Sequence, residues 1–414
     1  MVLKEYFMKI SPFIFSSKAL AISGAVFANN NFVIQSQTGI GNTATANNVD
    51  PDVSNSLIVQ TQIGVNNSED ALQIDGTSNS TIVQSQIGVA NDSETAQENT
   101  SNGQINTTQF GDNNSVNAGQ GSSSNGSVIV NQIGASNTAN SQQVISTSNS
   151  SLTNQIGEQN SAEIYQEEQT SGSGTLLQFG ESNTGNVLQF LDSGSNSTLL
   201  QVGLLNTGRI DQIDSNSAQG SISQVGSNNY AKISQLDTNS DTADVVQAGT
   251  QNSAETTQTI SSSNSVLINQ LGIMNVVTTN QNLSEDGSLT ITQAGSGNLV
   301  DADQNTLISS GQIDQLGSQN SAGTDQLGID VHLLVVQVGN SNSSSIQQDG
   351  VLLNSHIAQL GNSNEAVIIQ GGLGNSLSLV QIGDGHYKEI TQTGVDQTST
   401  TIQIGNANFA NVMQ

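Results

Sequence analysis

Residues 132–143 read Gln132-Ile133-Gly134-Ala135-Ser136-Asn137-Thr138-Ala139-Asn140-Ser141-Gln142-Gln143. The motif Gln-x-Gly at the start of this stretch opens 17 repeats, from a weaker first copy at Gln37 to a last copy at Gln403. The interval between successive copies is 23 from Gln86 to Gln293 and 22 from there to Gln403, and only the first two intervals differ, at 25 and 24. A fixed period of this length predicts one supersecondary unit that stacks on copies of itself.

Three polar positions recur at fixed offsets within each repeat. With the glutamine of the motif as position 0, glycine stands at +2 in all 17 copies, asparagine at +5 in 16, and a second glutamine at +11 in 16. His386 replaces the asparagine of one copy, and Asn48 replaces the second glutamine of the first copy. General enrichment in polar residues does not explain this regularity, so we predict three ladders of stacked side chains.

The predicted ladders run through the repeats from Gln62 onward. The first-glutamine ladder consists of Gln62, Gln86, Gln109, Gln132, Gln155, Gln178, Gln201, Gln224, Gln247, Gln270, Gln293, Gln315, Gln337, Gln359, Gln381 and Gln403. The asparagine ladder consists of Asn67, Asn91, Asn114, Asn137, Asn160, Asn183, Asn206, Asn229, Asn252, Asn275, Asn298, Asn320, Asn342, Asn364 and Asn408. The second-glutamine ladder consists of Gln73, Gln97, Gln120, Gln143, Gln166, Gln189, Gln212, Gln235, Gln258, Gln281, Gln304, Gln326, Gln348, Gln370, Gln392 and Gln414.

Apolar residues alternate with polar ones on both sides of the motif. Position −2 is often apolar, as in Ile222 and Ile268, and position +9 is often β-branched, as in Ile210 and Ile233. This period of two predicts two strands of about six residues, joined by a Gly/Asn-rich turn and followed by a second turn rich in Ser, Asn, Asp and Gly. Because positions −2, 0, +9 and +11 share the inward faces, both glutamines are predicted to be buried.

The buried glutamines decide the predicted fold class. An unpaired buried amide costs about 1–3 kcal/mol, but side chains about 4.8 Å apart in successive strands can donate and accept along a stack. The predicted fold is therefore all-β: a two-sided β-solenoid, left- or right-handed, with 17 strand–turn–strand repeats of about 22–23 residues and a cross-β, amyloid-like core.

The residue between the first glutamine and the glycine points away from the predicted core. It is apolar in 16 of the 17 copies, for example Ile133, Ile156 and Leu271. Two interpretations are open: an exposed apolar stripe that serves as an interaction surface, or a shift of parity at the glycine that turns these side chains inward.

The composition limits the classes of function. The 414 residues carry a formal charge of −28, although only 10% of them are charged, and they include no cysteine. We expect this charge on the outer face of the solenoid, where it keeps unassembled chains apart. Only six residues are basic, which argues against nucleic-acid binding. His332, His356 and His386 stand apart from any nucleophile or metal-ligand spacing, so we predict no enzyme activity, no metal and no cofactor.

One repeat breaks the pattern, and one outward pair falls in register. In the repeat that contains His386, Lys388 occupies the inward position +7, which predicts either a bulged turn or a lysine that reaches solvent. This repeat either moderates growth, as charged gatekeeper residues do, or is a tolerated irregularity. Lys232 and Glu255 share position +8 of consecutive repeats and are predicted to be neighbours.

The first 28 residues differ from the repeats. They contain three of the six basic residues, followed by the short apolar run Ala19–Ala28 with small residues at its end. This pattern predicts a secretory signal peptide over 1–28, with a buried N-terminal helix as the alternative. Residues 29–55 form a weak first repeat that could act as an export segment, and residues 56–414 form the remaining repeats.

The pattern Gln-x-Gly-x-x-Asn-x-Ala-x-x-x-Gln, which returns at intervals of 22 or 23, resembles the curlin repeat of the major and minor subunits of curli, the functional amyloid fibres of bacterial biofilms. The resemblance covers residues 33–414. It implies a β-solenoid amyloid fold, export through an outer-membrane pore, a nucleator subunit as partner, and extracellular fibres on a bacterial cell surface. The chain departs from the family in its larger number of repeats, in frequent loss of the serine expected at −6, and in lacking a separate export segment.

The resemblance and the repeat together predict a secreted structural subunit that binds copies of itself. Each repeat forms one layer, or rung, of the predicted solenoid. Gln414 ends the sequence at a ladder position, so we expect a last rung whose strand edges are unpaired, and head-to-tail polymerisation into adhesive, aggregating fibres. The alternatives are a minor nucleator subunit of such fibres and a monomeric β-solenoid adhesin or ice-binding module. Ice binding is disfavoured because Thr-x-Thr segments, as at 43–45 and 398–400, do not recur on each repeat.

Overall fold

The computed structural model describes residues 21–22, 30–48 and 52–414. The predicted signal peptide lies outside the described residues, apart from a two-residue strand, β1 (Ala21–Ile22). The chain divides into two compact units, Met1–Gln159 and Asn160–Gln414. Within the described ranges, no helix is long and apolar enough to cross a membrane.

The first unit is built from parallel strands. After β1 it contains β2 (Phe32–Ile40), β3 (Thr43–Asn47), β4 (Leu57–Val65), β5 (Ser68–Ile74), β6 (Thr81–Val89), β7 (Asp92–Glu98), β8 (Gln104–Asp112), β9 (Ser115–Gly121), β10 (Ser127–Ala135), β11 (Thr138–Val144) and β12 (Ser150–Glu158). Each repeat has two strands, which we call its first and second arms. The first arms pair with one another in the order β2-β4-β6-β8-β10-β12. The second arms pair in the order β3-β5-β7-β9-β11. Among the strands in the described residues of this unit, only β1 is antiparallel to its partner, β2.

The second unit repeats this arrangement. It contains β13 (Ser161–Glu167), β14 (Ser173–Glu181), β15 (Thr184–Phe190), β16 (Asn196–Leu204), β17 (Thr207–Ile213), β18 (Gln219–Ser227), β19 (Tyr230–Asn239), β20 (Thr242–Thr250), β21 (Ser253–Ser262), β22 (Ser265–Ile273), β23 (Val276–Asn282), β24 (Glu285–Ser296), β25 (Leu299–Ser318), β26 (Ser321–Asn340), β27 (Ser343–Asn362), β28 (Glu365–Leu373), β29 (Ser376–Asp384), β30 (Tyr387–Gln392), β31 (Thr398–Asn406) and β32 (Phe409–Met413). First arms again pair with first arms and second arms with second arms, all in parallel.

The register places each repeat directly on the next. Gln132 pairs with Gln109 on one side and with Gln155 on the other. A slip of one residue would turn every inward glutamine to the outer face, so the alternating pattern fixes the register. Both units are therefore all-β, two-sided β-solenoids, and they hold about 16 turns in total.

The core of each unit is a thin layer between the two arms. Ile58 and Ile82 in the first unit, and Ile210 and Ile233 in the second, are fully buried. Each such side chain contributes about 1.5–3 kcal/mol on burial. The remaining inward positions are filled largely by amides and hydroxyls, so these polar groups must bond to one another inside the core.

The change of period after Gln293 reflects a shorter second turn. In the longer repeats this turn holds two left-handed residues three apart, such as Ser122 at φ 49° and Asn125 at φ 53°. In the shorter repeats it instead matches the first turn, with Gly328 at φ 134° followed by Asp330 at φ 59°. Both arms then run together through strands of 20 residues, as in β25, β26 and β27. The two sets of glutamines are thus evenly spaced in this part of the chain, at Gln293, Gln304, Gln315 and Gln326.

Candidate assembly site: the side-chain ladders

The first glutamines are joined in one hydrogen-bonded column within each unit. In the first unit the column begins at Gln37, and each Nε2 donates to Oε1 of the next glutamine over 2.7–3.1 Å. In the second unit it runs from Gln178 to Gln403 with distances of 2.8–2.9 Å. The second amide hydrogen crosses the core: Gln86 Nε2, for example, also donates to the Ser68 carbonyl at 2.8 Å. These buried amides are thereby satisfied on both hydrogens.

The second glutamines form an equivalent column on the other arm. In the first unit Asn48 takes the place of the missing glutamine and donates to Gln73 Oε1 at 3.1 Å, and the column continues to Gln143 at 2.8–2.9 Å. In the second unit it runs from Gln166 to Gln414 at 2.7–3.1 Å.

The glutamine columns have a direction. In each of these bonds within a unit, the donor belongs to the earlier repeat and the acceptor to the later one, as in Gln62 to Gln86 and Gln73 to Gln97. One side of a rung therefore presents Nε2–H donors and the other presents Oε1 acceptors. Two rungs bond through these columns only when they stack in the same orientation.

The asparagines interlock with the glycines at the first turn. Asn114 donates from its backbone N and from Nδ2 to Asn91 Oδ1, at 3.1 and 3.0 Å, and its Nδ2 also donates to the Gly134 carbonyl at 2.9 Å. The same Nδ2-to-Oδ1 contacts span 3.0–3.2 Å between successive asparagines from Asn160 to Asn364 in the second unit. The asparagine thus satisfies turn groups that no strand can pair.

The glycine at +2 is required for two reasons. Gly111 has φ 122°, a conformation that L-residues rarely adopt. A Cβ at this position would also stand 2.0 Å from the carbonyl oxygen of Gly134. The same close approach recurs at Gly134 and Gly226, so the glycine column allows the backbones of adjacent turns to stack.

His386 continues the asparagine column with different atoms. Its backbone N donates to Asn364 Oδ1 at 3.1 Å, and its Nδ1 accepts from the Asn408 backbone N at 3.2 Å. Its Nε2 lies 3.0 Å from the Ile382 carbonyl, which can only accept. The neutral ring with its proton on Nε2 satisfies all three contacts.

Both predictions for Lys388 are wrong. The residue lies in the regular strand β30, paired with Ala366 and Ala410, and its side chain is only 1% exposed. Burial lowers the pKa of its amine. The lysine stays inward because β30 keeps its register with β28 and β32. The backbone pairing on both sides of position +7 opposes a shift of the strand by one residue.

Some of the acidic residues lie inside, contrary to the expectation that they are on the outer face. Glu69 at position +7 is 1% exposed, and neither carboxylate oxygen has a hydrogen-bond partner among the described residues. Burial raises the pKa of Glu69 to about 9. Burial likewise raises the pKa of Asp192 to about 8, against a hydrogen bond from the Ser215 backbone. Asp241 is also buried, and its pKa is raised although Ser261 and Asn264 donate to it.

A fourth column accompanies Glu69 in the first unit. Gln35, Gln60 and Gln84 occupy position −2, where most other repeats have an apolar residue, and they bond in sequence at 2.6 and 2.8 Å. Sequence reasoning missed this column and the buried acids. The parity rule could have identified them, because Glu69, Gln60 and Gln84 all stand at inward offsets.

The outer face decides the position of the residue after the first glutamine and of the Lys232–Glu255 pair. The residue after the first glutamine is exposed or half-buried in the described repeats, with 44% exposure at Ile63, 46% at Ile133 and 61% at Leu271, so parity does not shift at the glycine. The predicted neighbours Lys232 and Glu255 form an ion pair at 3.0 Å.

No protein-family model matches the chain, and no curated protein matches it. In the described part of the chain, no group of three or more His, Asp or Glu side chains is arranged to hold a metal ion.

Proposed function

We propose that this chain is a secreted structural subunit that polymerises head-to-tail into extracellular, curli-like amyloid fibres of a biofilm matrix. The observation that carries the proposal is the direction of the glutamine columns. Each rung offers donors on one side and acceptors on the other, together with parallel backbone edges in the same register. A rung of one copy is thus complementary to the opposite side of a rung of another.

This complementarity favours a filament over a closed oligomer. Contact between two different surfaces of identical subunits continues without closing when successive copies are related mainly by translation. Stacking like sides would oppose donors to donors and acceptors to acceptors. Columns of Gln and Asn in register are also the side-chain pattern that stabilises cross-β assemblies.

The proposed location and partners rest on the sequence. The signal-peptide pattern of residues 1–28 supports export, and the resemblance to curlin repeats supports an outer-membrane pore and a nucleator subunit as partners. Fibres on a bacterial surface would then provide adhesion and aggregation.

The proposal is tested by incubating purified chain from residue 29 onward and following thioflavin binding and electron micrographs. We expect fibres whose growth is accelerated by preformed fragments. A chain that remains monomeric for days under these conditions would contradict the proposal and favour a monomeric adhesin. A chain that forms few fibres alone but seeds a second subunit would instead indicate a nucleator.

A further inference from the structure

The outward surfaces of the two arms differ in charge in the first unit. The first-arm face comprises the outward residues of β2, β4, β6, β8, β10 and β12, and the second-arm face comprises those of β3, β5, β7, β9 and β11. In the rungs of β4 to β7, the second-arm face carries Asp70, Asp92, Glu94 and Glu98, all exposed. The first-arm face of the same rungs carries no charged residue.

The first-arm face is apolar where it is uncharged. Ile63 and Val65 of β4 lie in register with Ile87 and Val89 of β6, and these four side chains are 36–44% exposed. Ile40 of β2 lies in register with Val65 and extends the patch at 70% exposure. Large continuous apolar surfaces of this kind mark interaction sites.

Carboxylates on the first-arm face of this unit stand only at its border. They are Asp112 and Glu158, each at the last residue of its strand, beside the turn. The centre of the sheet therefore offers alternating Val, Ile, Leu, Thr, Ser and Asn side chains, which suit packing against another sheet.

Charge determines what can cover this face. The described residues of the first unit include no Lys or Arg, and the chain as a whole carries −28. Two copies that met through second-arm faces would bring Asp92 and Glu94 against like charges with no cation between them. The first-arm face is the broad surface on which two copies can meet without this repulsion.

The size of the face is sufficient for a stable contact. Its six strands are nine residues each. At about 3.3 Å per residue and about 4.8 Å between strands, they cover on the order of 800 Å². Stable protein complexes bury about 800 Å² on each partner.

We infer that two copies of this chain pack side by side through the first-arm faces of their first units, with Ile63 and Ile87 near the centre of the contact. The pairing goes beyond the proposed function, because it is lateral and does not require head-to-tail growth. In a fibre, this lateral pairing would hold two filaments side by side.

The test uses charge at two stacked positions. Ile63→Glu/Ile87→Glu and Ile63→Lys/Ile87→Lys each place like charges on the first-arm face. Leu72→Glu/Ala96→Glu is the matched control, because Leu72 and Ala96 are also stacked outward neighbours, on the second-arm face of the same rungs. The number of filaments per fibre is counted by cryo-electron microscopy, and the oligomeric state of freshly purified full-length chain is measured by sedimentation.

We expect paired filaments for the wild type and the control, single filaments for each Ile63/Ile87 variant, and restored pairs when the Glu and Lys variants are mixed. Loss of pairing with fibre growth intact separates this proposal from the proposed function. If no fibres form at all, sedimentation still reports whether pairs exist and whether mixing restores them.

Four results would overturn the inference: wild-type chain that stays unpaired, a Glu variant that remains paired, a mixture that stays single, or a control that loses pairing equally. Wild-type chain that stays unpaired but binds phosphatidylcholine vesicles, with that binding lost in the Glu variant, would show that lipid covers the face instead.

Discussion

Asn67 Oδ1 accepts two hydrogen bonds from Asn91, one from its backbone N and one from its Nδ2, both 3.1 Å long. One side-chain atom thus holds both the backbone and the side chain of the following turn. The bonds between neighbouring turns are therefore dense and repetitive, and the effect of single substitutions can be predicted from their position in a column.

Removing one asparagine should destabilise the fold from within a column. In Asn114→Ala, the backbone N and Nδ2 of Asn137 lose their acceptor and the Gly134 carbonyl loses a donor. We expect a loss of about 1–3 kcal/mol for the buried groups left unpaired. Urea denaturation measures the change. Asn117→Ala, at an exposed position of the same repeat, should change stability by less than about 0.5 kcal/mol.

Glycine at +2 should tolerate no side chain. Gly111→Ala introduces a Cβ 2.0 Å from a backbone oxygen at a residue with φ 122°, so the two turns must separate. We expect a loss of more than about 3 kcal/mol, or a chain that fails to fold, by far-UV circular dichroism. Gly121→Ala, where a Cβ would meet nothing within 4 Å, is the control and should fold normally. Equal effects of the two substitutions would contradict the stacking geometry.

The buried carboxyl of Glu69 should make stability depend on pH. Its pKa is about 9 in the folded chain against an ordinary 4.5. The folded state therefore holds the proton after the unfolded state has released it, and stability is full below about pH 4.5 and falls as pH rises toward about 9. Between pH 4.5 and 7 the loss is roughly 3 kcal/mol.

Comparison of variants isolates the contribution of Glu69. Glu69→Gln, which keeps shape without the charge, should remove this part of the pH dependence in urea midpoints. Asp70→Asn changes the exposed neighbour and should leave it in place. A wild type and Glu69→Gln with parallel pH profiles would mean that the carboxyl is solvated or paired.

The buried lysine should cost stability at neutral pH. Because burial lowers the pKa of Lys388, its amine is disfavoured in the charged form, and stability should rise as pH rises through the lysine titration. Lys388→Met keeps most of the volume and should raise the urea midpoint at pH 7. Lys232→Met, which removes a surface ion pair with Glu255, should lower stability by about 0–1 kcal/mol. A lower midpoint for Lys388→Met would contradict this.

His386→Asn should restore the regular asparagine column between Asn364 and Asn408. The histidine accepts from Asn408 N through Nδ1 and donates to Ile382, but it makes no bond to the next glycine carbonyl. Asparagine can make that bond, as Asn364 does to Gly383 at 2.9 Å. We expect slower hydrogen exchange at the Asn408 amide in the variant. Unchanged or faster exchange would indicate that the histidine already serves the turn as well as asparagine.

The sequence predicted the fold class because the repeat fixes the register and the parity fixes the faces. Gln132 and Ile133 illustrate this: one is fully buried and the other 46% exposed, as their offsets require. The burial of Glu69 and Lys388 was not predicted, because ionisable side chains usually lie on the surface. In this fold the pairing of the neighbouring repeats keeps both side chains in the core. The bonding of His386 and the direction of the glutamine columns depend on which atoms meet, and spacing alone does not contain that information.

The most direct test of head-to-tail assembly is a cryo-electron microscopy structure of the fibre at the junction between two subunits. We predict parallel strands stacked about 4.8 Å apart across the junction, with both glutamine columns continuing in the same donor-to-acceptor direction into the next copy. A junction that joins like sides, or one that leaves the columns unpaired and holds the copies together elsewhere, would contradict it.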